Sequence, residues 1–151
     1  MEKLEIMRQV ILFKELEKDD LNRLAEIATE EIFPVTGLVF EEGSPGDAFF
    51  IVKYGTVAVV KGNEEVARMG QGQHFGEMAL LDNDTRSATI TAVERTELIR
   101  IKRQDLETLL AKDNALGMRV YRAIARYLCG RLRHTTADLA FMRGLANRQG
   151  S

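Results

Sequence analysis

Between Glu30 and Lys102 the apolar residues fall in short runs, separated at near-regular intervals by Gly37, Gly43, Gly46, Gly55, Gly62, Gly70 and Gly72. The runs include Ile32-Phe33-Pro34-Val35, Leu38-Val39-Phe40, Phe49-Phe50-Ile51-Val52, Val57-Ala58-Val59-Val60, Val66-Ala67-Arg68-Met69, Thr89-Ile90-Thr91 and Leu98-Ile99-Arg100-Ile101. Their period is two, the period of a strand with one face buried. Many short strands joined by glycine turns mean a sandwich or a closed barrel. Positive φ in tight turns accounts for the glycines without any further role.

Helical periods flank this region. Leu4, Met7, Val10 and Ile11 are spaced for one helix, and Leu12-Phe13 breaks the run. Asp19-Asp20 can cap a second helix with Leu21, Leu24, Ala25 and Ala28 on one face. After Lys102, a short helix is expected over Asp105–Ala111. A long one follows, with Leu116, Val120, Ala123, Ile124, Tyr127, Leu128 and Leu132 in a stripe. That stripe is core, a seam between two copies, or both in succession. Arg119, Arg122, Arg126, Arg131 and Arg133 flank it and are read first as a solvated face. Gly144 to Ser151 reads as a frayed tail. The expected architecture is one domain over residues 1–151, mainly β with flanking helices. An antiparallel eight-stranded β-roll (jelly-roll) spans about 30–102 and helices span about 103–143.

The totals exclude several classes. A formal net charge of -2 argues against a chain built mainly to coat nucleic acid. The single cysteine, Cys129, rules out an internal disulfide and suits a reducing cytoplasm. Its apolar helical setting predicts a buried, inert thiol. No apolar run approaches the roughly 20 residues that cross a bilayer. The N-terminus lacks the basic-then-apolar order of a signal peptide.

The stretch from Gly72 to Ala92 carries the chemistry. A glycine-flexed turn leads into a very short apolar helix, Glu77 to Leu81. A polar loop, Asp82 to Thr85, leads to Arg86 and a strand over Ser87–Ala92. A helix that short buries little, and its use lies at its N-terminus, where free amides favour an anion. Arg86 returns a planar fixed charge suited to phosphate. Glu77 would repel that phosphate unless it met its own donor, and a ribose hydroxyl is such a donor. Together they describe a small sugar phosphate that keeps a free hydroxyl.

Phe75-Gly76-Glu77-Met78-Ala79-Leu80-Leu81, followed by Arg86-Ser87-Ala88-Thr89, resembles the phosphate-binding cassette of the cyclic-nucleotide-binding domains. These are the domains of catabolite activators and kinase regulatory subunits. The resemblance covers about Leu12 to Leu132 and includes Glu41-Glu42-Gly43-Ser44-Pro45-Gly46-Asp47-Ala48-Phe49. It implies that Glu77 accepts the ribose 2′-hydroxyl, and that Arg86 and Ser87 hold the cyclic phosphate with backbone amides at Gly76, Ala79 and nearby. Phe75, Met78, Leu80 and Ala88 complete the implied ligand-binding set. More loosely, Leu132-Arg133-His134-Thr135-Thr136 and Leu139-Ala140-Phe141 resemble the distal long helix of the catabolite activators. There a hydroxyl pair meets the adenine amino group, which implies Thr135 and Thr136 here; the alternative is two solvent-facing threonines. Members that keep the fold but lose the ligand usually lack the glutamate or the arginine, and this chain has both.

The function expected is a regulatory cyclic-nucleotide-binding module. Cyclic AMP is favoured over cyclic GMP as its ligand. It does no chemistry on that ligand, needs no metal, and is cytoplasmic. A homodimer through the C-terminal helix is expected, and the downstream protein partner is not legible. The chain stops after the long helix, a departure from the catabolite activators, so direct DNA binding is not expected. The alternatives are the sensor half of a transcription regulator and a ligand-free interaction scaffold. Gly70-Gln71-Gly72-Gln73-His74-Phe75-Gly76 echoes a dinucleotide fingerprint but lacks the βαβ setting. Asp82-Asn83-Asp84 lacks the later residues of a calcium loop. His74 and His134 make no metal cluster, and His74 reads as a turn residue.

Overall fold

The computed structural model describes residues 2–149. Helices α1 (Lys3–Gln9) and α2 (Lys18–Ile27) precede the strands, with a 3₁₀ turn at Ile11–Phe13 between them. The strands are β1 (Thr29–Phe33), β2 (Leu38–Phe40), β3 (Pro45–Gly46), β4 (Ala48–Tyr54), β5 (Val57–Lys61), β6 (Glu64–Met69), β7 (His74–Phe75), β8 (Asp84–Thr85), β9 (Thr89–Ala92) and β10 (Thr96–Lys102). Helices α3 (Arg103–Ala111) and α4 (Asn114–Gln149) follow. One four-stranded sheet runs β1-β10-β4-β7 and a second runs β2-β9-β5-β6, while β3 and β8 form a small ladder of their own. All pairs are antiparallel, so the roll is the expected one.

The strand β4 shows why one run reads as continuously apolar. Ala48, Phe50 and Val52 enter the core between the sheets, with Val57, Phe75, Ile90 and Leu98. The alternate residues Phe49 and Ile51 enter a second core under the helices, with Leu24, Ile99, Ile101, Leu106, Leu116 and Ile124. A strand buried on both faces loses its polar alternation. β10 divides in the same way, with Leu98 to one core and Ile99 and Ile101 to the other.

Several boundaries differ from expectation. Glu17, not Asp19 or Asp20, is the N-cap of α2; Asp20 sits three residues on and accepts the Glu17 amide at 3.4 Å, one arm of a capping box. The loop after Leu81 contains β8, because Pro45 and Gly46 pair with Thr85 and Asp84. The following strand begins at Thr89, since the Arg86 backbone bonds instead to Ser44 O and Gly43 N, both at 2.8 Å. α3 starts at Arg103, directly after β10.

α4 is one helix of 36 residues, roughly 54 Å long. Its stripe is core only at first: Leu116, Val120, Ala123 and Ile124 are buried, Tyr127 and Leu128 are partly buried, and Leu132 is 67% exposed. Beyond that the helix stands off the body. Cys129 is therefore exposed, against the buried thiol expected from its apolar neighbours. The helix also continues through Gly144 to Gln149, where a frayed tail was expected. One glycine costs a helix only about 1 kcal/mol, and Phe141, Met142, Arg143, Leu145 and Ala146 around it tolerate helix well. Gly150 and Ser151 lie outside the described residues. Among the described residues no helix is long and apolar enough to cross a membrane.

Candidate functional site

The site forms where β7 leaves its sheet. Phe50 pairs with Phe75 and Ile51 with His74, which fixes the chain up to Gly76. Gly76 then takes a left-handed conformation, φ 81°, and caps a 3₁₀ segment over Glu77–Leu80. A Cβ at Gly76 would lie 2.7 Å from Arg86 Nη1 and 3.0 Å from Ala48 O. Only glycine combines that backbone angle with that lack of space. The Ala79 amide closes the first turn on Gly76 O at 3.1 Å. The amides before it belong to no helical bond.

Arg86 lies directly beneath this turn. It is 7% exposed, and its Nη2 donates to Ala48 O at 2.6 Å. Its guanidinium carbon sits 4.1 Å from the centroid of the Phe40 ring, a cation–π contact. A buried arginine stays charged, so the site holds a fixed cation. Arg103, at the start of α3, holds the other end of the segment. Its Nη1 donates to Ala79 O and Asp82 O at 3.1 and 2.9 Å, and its Nη2 to Asn83 Oδ1 at 2.8 Å.

A cavity of about 290 Å³ opens beside Arg86. Phe75, Gly76, Glu77, Met78, Arg86, Ser87 and Ala88, all named in the set that the cassette resemblance implies, line it. Phe40, Val59, Met69 and Ile90 form an apolar wall, and His74 and Arg131 complete the lining. Ala79 and Leu80 are buried, at 0% and 2% exposure, and lie outside the lining. Thr135 and Thr136 are exposed on α4 and do not reach the cavity.

Glu77 is the carboxylate of the site, with its side chain 15% exposed. Burial is the largest influence on it and pushes its pKa up. The His74 imidazole beside it, the residue's own amide and the positive charge of Arg131 together outweigh burial, and the carboxyl sits below its usual value. The group is ionised at neutral pH and can only accept hydrogen bonds. An acceptor and a buried cation thus face one small cavity with an apolar wall.

Three features differ from the sequence reading. His74 is not in a turn; it lies in β7, is 8% exposed, and places Nδ1 3.6 Å from Glu77 Oε2. Arg131 is not simply solvated, for it lines the cavity and donates from Nη1 to Tyr127 Oη at 3.2 Å. Arg119 and Arg126 tie α4 down, to Asp20 at 2.8 Å and Glu15 at 2.9 Å. The apolar wall had a signal in the alternation of its strands, but only strand pairing brings Phe40, Val59, Met69 and Ile90 to one place.

The family model described as "Cyclic nucleotide-binding domain" matches residues 31–113. This chain belongs to the cyclic nucleotide-binding domain family. It is 33% identical over 106 residues to a cAMP-dependent protein kinase regulatory subunit of Yarrowia lipolytica, covering 69% of this chain and 28% of that one. It is 31% identical over 122 residues to the cyclic AMP receptor protein of Thermus thermophilus, covering 78% of this chain and 56% of that one. The crystal structure of the N-terminal domain of a Streptomyces coelicolor transcriptional regulator superposes with a TM-score of 0.77 at 27% identity, covering 89% of this chain and 94% of that one. The chain is a regulatory cyclic nucleotide-binding domain of the catabolite-activator and kinase-regulatory-subunit type. It spans well under two thirds of the length of these two curated relatives. The matched region of this cyclic nucleotide-binding domain contains Glu77 and Arg86 but ends before Tyr127, Arg131, Thr135 and Thr136.

Proposed function

We propose that the cavity binds cyclic AMP in preference to cyclic GMP, and that α4 passes on its occupancy. The observation that carries the reading is the placement of Glu77 and Arg86 on one cavity of about 290 Å³, at the small end of ligand sites. Arg86, Ser87 and the amides at the start of the 3₁₀ segment would take the cyclic phosphate. Glu77 would accept the ribose 2′-hydroxyl. Phe40, Val59, Met69 and Ile90 offer the apolar surface for the sugar and base. The module works as one domain and does no chemistry on its ligand.

We further propose a homodimer through α4. Leu116, Val120, Ala123 and Ile124 are committed to the chain's own core, so the seam is a neighbouring face. Tyr121, Ala125, Leu128, Leu132, Thr135, Leu139, Met142 and Ala146 follow one another in alternating steps of four and three, the heptad pattern of a coiled coil. Leu132, Leu139 and Met142 are 67%, 64% and 64% exposed. In a parallel pair Asp138 would face Arg143 of the second copy, five residues on, with opposite charge.

The unpaired Cys129 suits a reducing cytoplasm. A second reading, the sensor portion of a longer transcription regulator, is favoured by the match to the N-terminal domain of such a protein. Titration calorimetry with cyclic AMP, cyclic GMP and cyclic di-GMP tests the main reading. One-to-one binding of cyclic AMP, tighter than of the other two, is expected. No heat with any of them would favour an interaction scaffold.

A further inference from the structure

We propose that His74 is the positioning residue for Glu77, and that through it the cavity selects a ribose with a free 2′-hydroxyl. The inference rests on the reading of Glu77 as the ribose-binding carboxylate. The position of His74 needs only an apolar ring. Its imidazole packs on Phe49 at 5.3 Å and on Tyr127 of α4 at 4.9 Å between centroids, and its side chain is 4% exposed. A phenylalanine would fill that space without a polar atom to bury. What histidine adds are its ring nitrogens, and Nδ1 has no hydrogen-bond partner among the described residues. A buried polar atom without a partner is costly, and it calls for an explanation.

The carboxylate oxygen Glu77 Oε2 lies 3.6 Å from His74 Nδ1. That is longer than a hydrogen bond, and roughly half an ångström of approach would make one. The rings of Phe49 and Tyr127 hold the imidazole from two elements, so the approach falls to the carboxylate. The other titratable or charged groups about this contact are Tyr127 and Arg131, whose Nη1 is engaged with Tyr127 Oη at 3.2 Å. Burial alone would drive Glu77 toward its protonated form, and the His74 side chain opposes that. A protonated or displaced carboxyl no longer offers the sugar hydroxyl a fixed acceptor. A residue that keeps Glu77 ionised and aimed therefore sets the preference between a ribose and its 2′-deoxy counterpart.

The test compares cyclic AMP and 2′-deoxy cyclic AMP by titration calorimetry on wild type, His74→Phe and His74→Gln. Wild type is expected to prefer cyclic AMP. His74→Phe keeps the ring packing and should lower that preference about three- to tenfold, the scale of one lost hydrogen bond. Its affinity for the 2′-deoxy ligand should stay within about twofold of wild type, because that ligand never used the contact. His74→Gln keeps a donor and should restore most of the preference. A merely structural role would weaken both ligands alike. Equal losses, or no loss, in His74→Phe would overturn the inference. Should His74→Phe fail to fold, His74→Leu carries the same comparison. Wild type binding neither ligand would overturn the cyclic-nucleotide reading itself, and this inference with it.

Discussion

Arg119 of α4 grips Asp20 of α2 through two hydrogen bonds, Nε to Oδ2 at 3.0 Å and Nη2 to Oδ1 at 2.8 Å. The partners are unequally exposed: the Asp20 side chain is 6% accessible and that of Arg119 is 41%. The pair ties the first turns of the long helix to α2. Its energetics follow from the asymmetry. Losing Asp20 leaves an arginine that water can solvate, whereas losing Arg119 leaves a buried carboxylate short of donors.

Arg119→Ala should therefore cost about 2–3 kcal/mol of stability, from the unsatisfied buried carboxylate. Asp20→Asn, which keeps a cap acceptor, should cost about 1 kcal/mol. The two also differ with pH. The hydrogen bond from Arg119 is the main cause that holds the Asp20 pKa below its usual value. A depressed folded-state pKa adds stability that is present above the unfolded value of about 4 and is lost as pH falls through the folded one. Urea unfolding between pH 7 and pH 2 should show a shallower acid loss in Arg119→Ala than in wild type. Parallel curves would mean that the pair contributes nothing to acid stability.

The Arg86 guanidinium is expected to supply most of the phosphate affinity. Arg86→Ala should weaken cyclic AMP binding by roughly 2–5 kcal/mol, as truncating one side of a buried charge pair does. Arg86→Lys should recover only part, because an ammonium cannot hold Ala48 O and a phosphate in one plane. Melting temperatures of both variants control for the lost packing on Phe40. Wild-type affinity in a folded Arg86→Ala protein would remove the phosphate role.

Much of this was legible in the chain. Glycine spacing and period-two runs are properties of whole segments, so the β-roll could be read from them. That Glu77 and Arg86 would face one cavity was legible, because a carboxylate next to an anion-binding turn called for a ligand with both a phosphate and a hydroxyl. His74 was not, since β7 has two residues and no period can be read from two. Arg131 was not either: of five arginines in the run Arg119 to Arg133, which one meets the cavity depends on where α4 leaves the body. That point is set by Ile124, the last fully buried residue of the stripe. Cys129 was misplaced for the same reason, because apolar neighbours on a helix do not say whether anything covers them.

The exposed heptad face predicts self-association that polar substitution abolishes. Leu132→Asp with Leu139→Asp should convert a dimer to a monomer, seen by light scattering, because both leucines lie on the proposed seam. The domain's own melting should change little, since both are more than half exposed in the single chain. A wild type that stays monomeric at high concentration, with and without cyclic AMP, would defeat the dimer.

The last prediction concerns the base. A hydroxyl such as that of Ser87 can both donate and accept, so it does not by itself favour adenine over guanine. Thr135 and Thr136 lie one turn and more past Arg131, which already lines the cavity; four residues of helix span roughly 6 Å. A modest inward shift of α4 on binding would bring a hydroxyl to the adenine amino group, which a threonine oxygen can accept from. The ligand would then favour the closed helix by its differential affinity for it. Thr135→Ala with Thr136→Ala should lower cyclic AMP affinity by about 1–3 kcal/mol, the scale of lost buried hydrogen bonds, and cyclic GMP affinity less. Thr135 also sits on the proposed seam, so Thr136→Ala alone separates base contact from dimer packing. Hydrogen exchange should show protection from Tyr127 to Phe141 when cyclic AMP is added. Unchanged exchange there, with unchanged selectivity in the double variant, would leave both threonines in solvent and assign the base contact to another element.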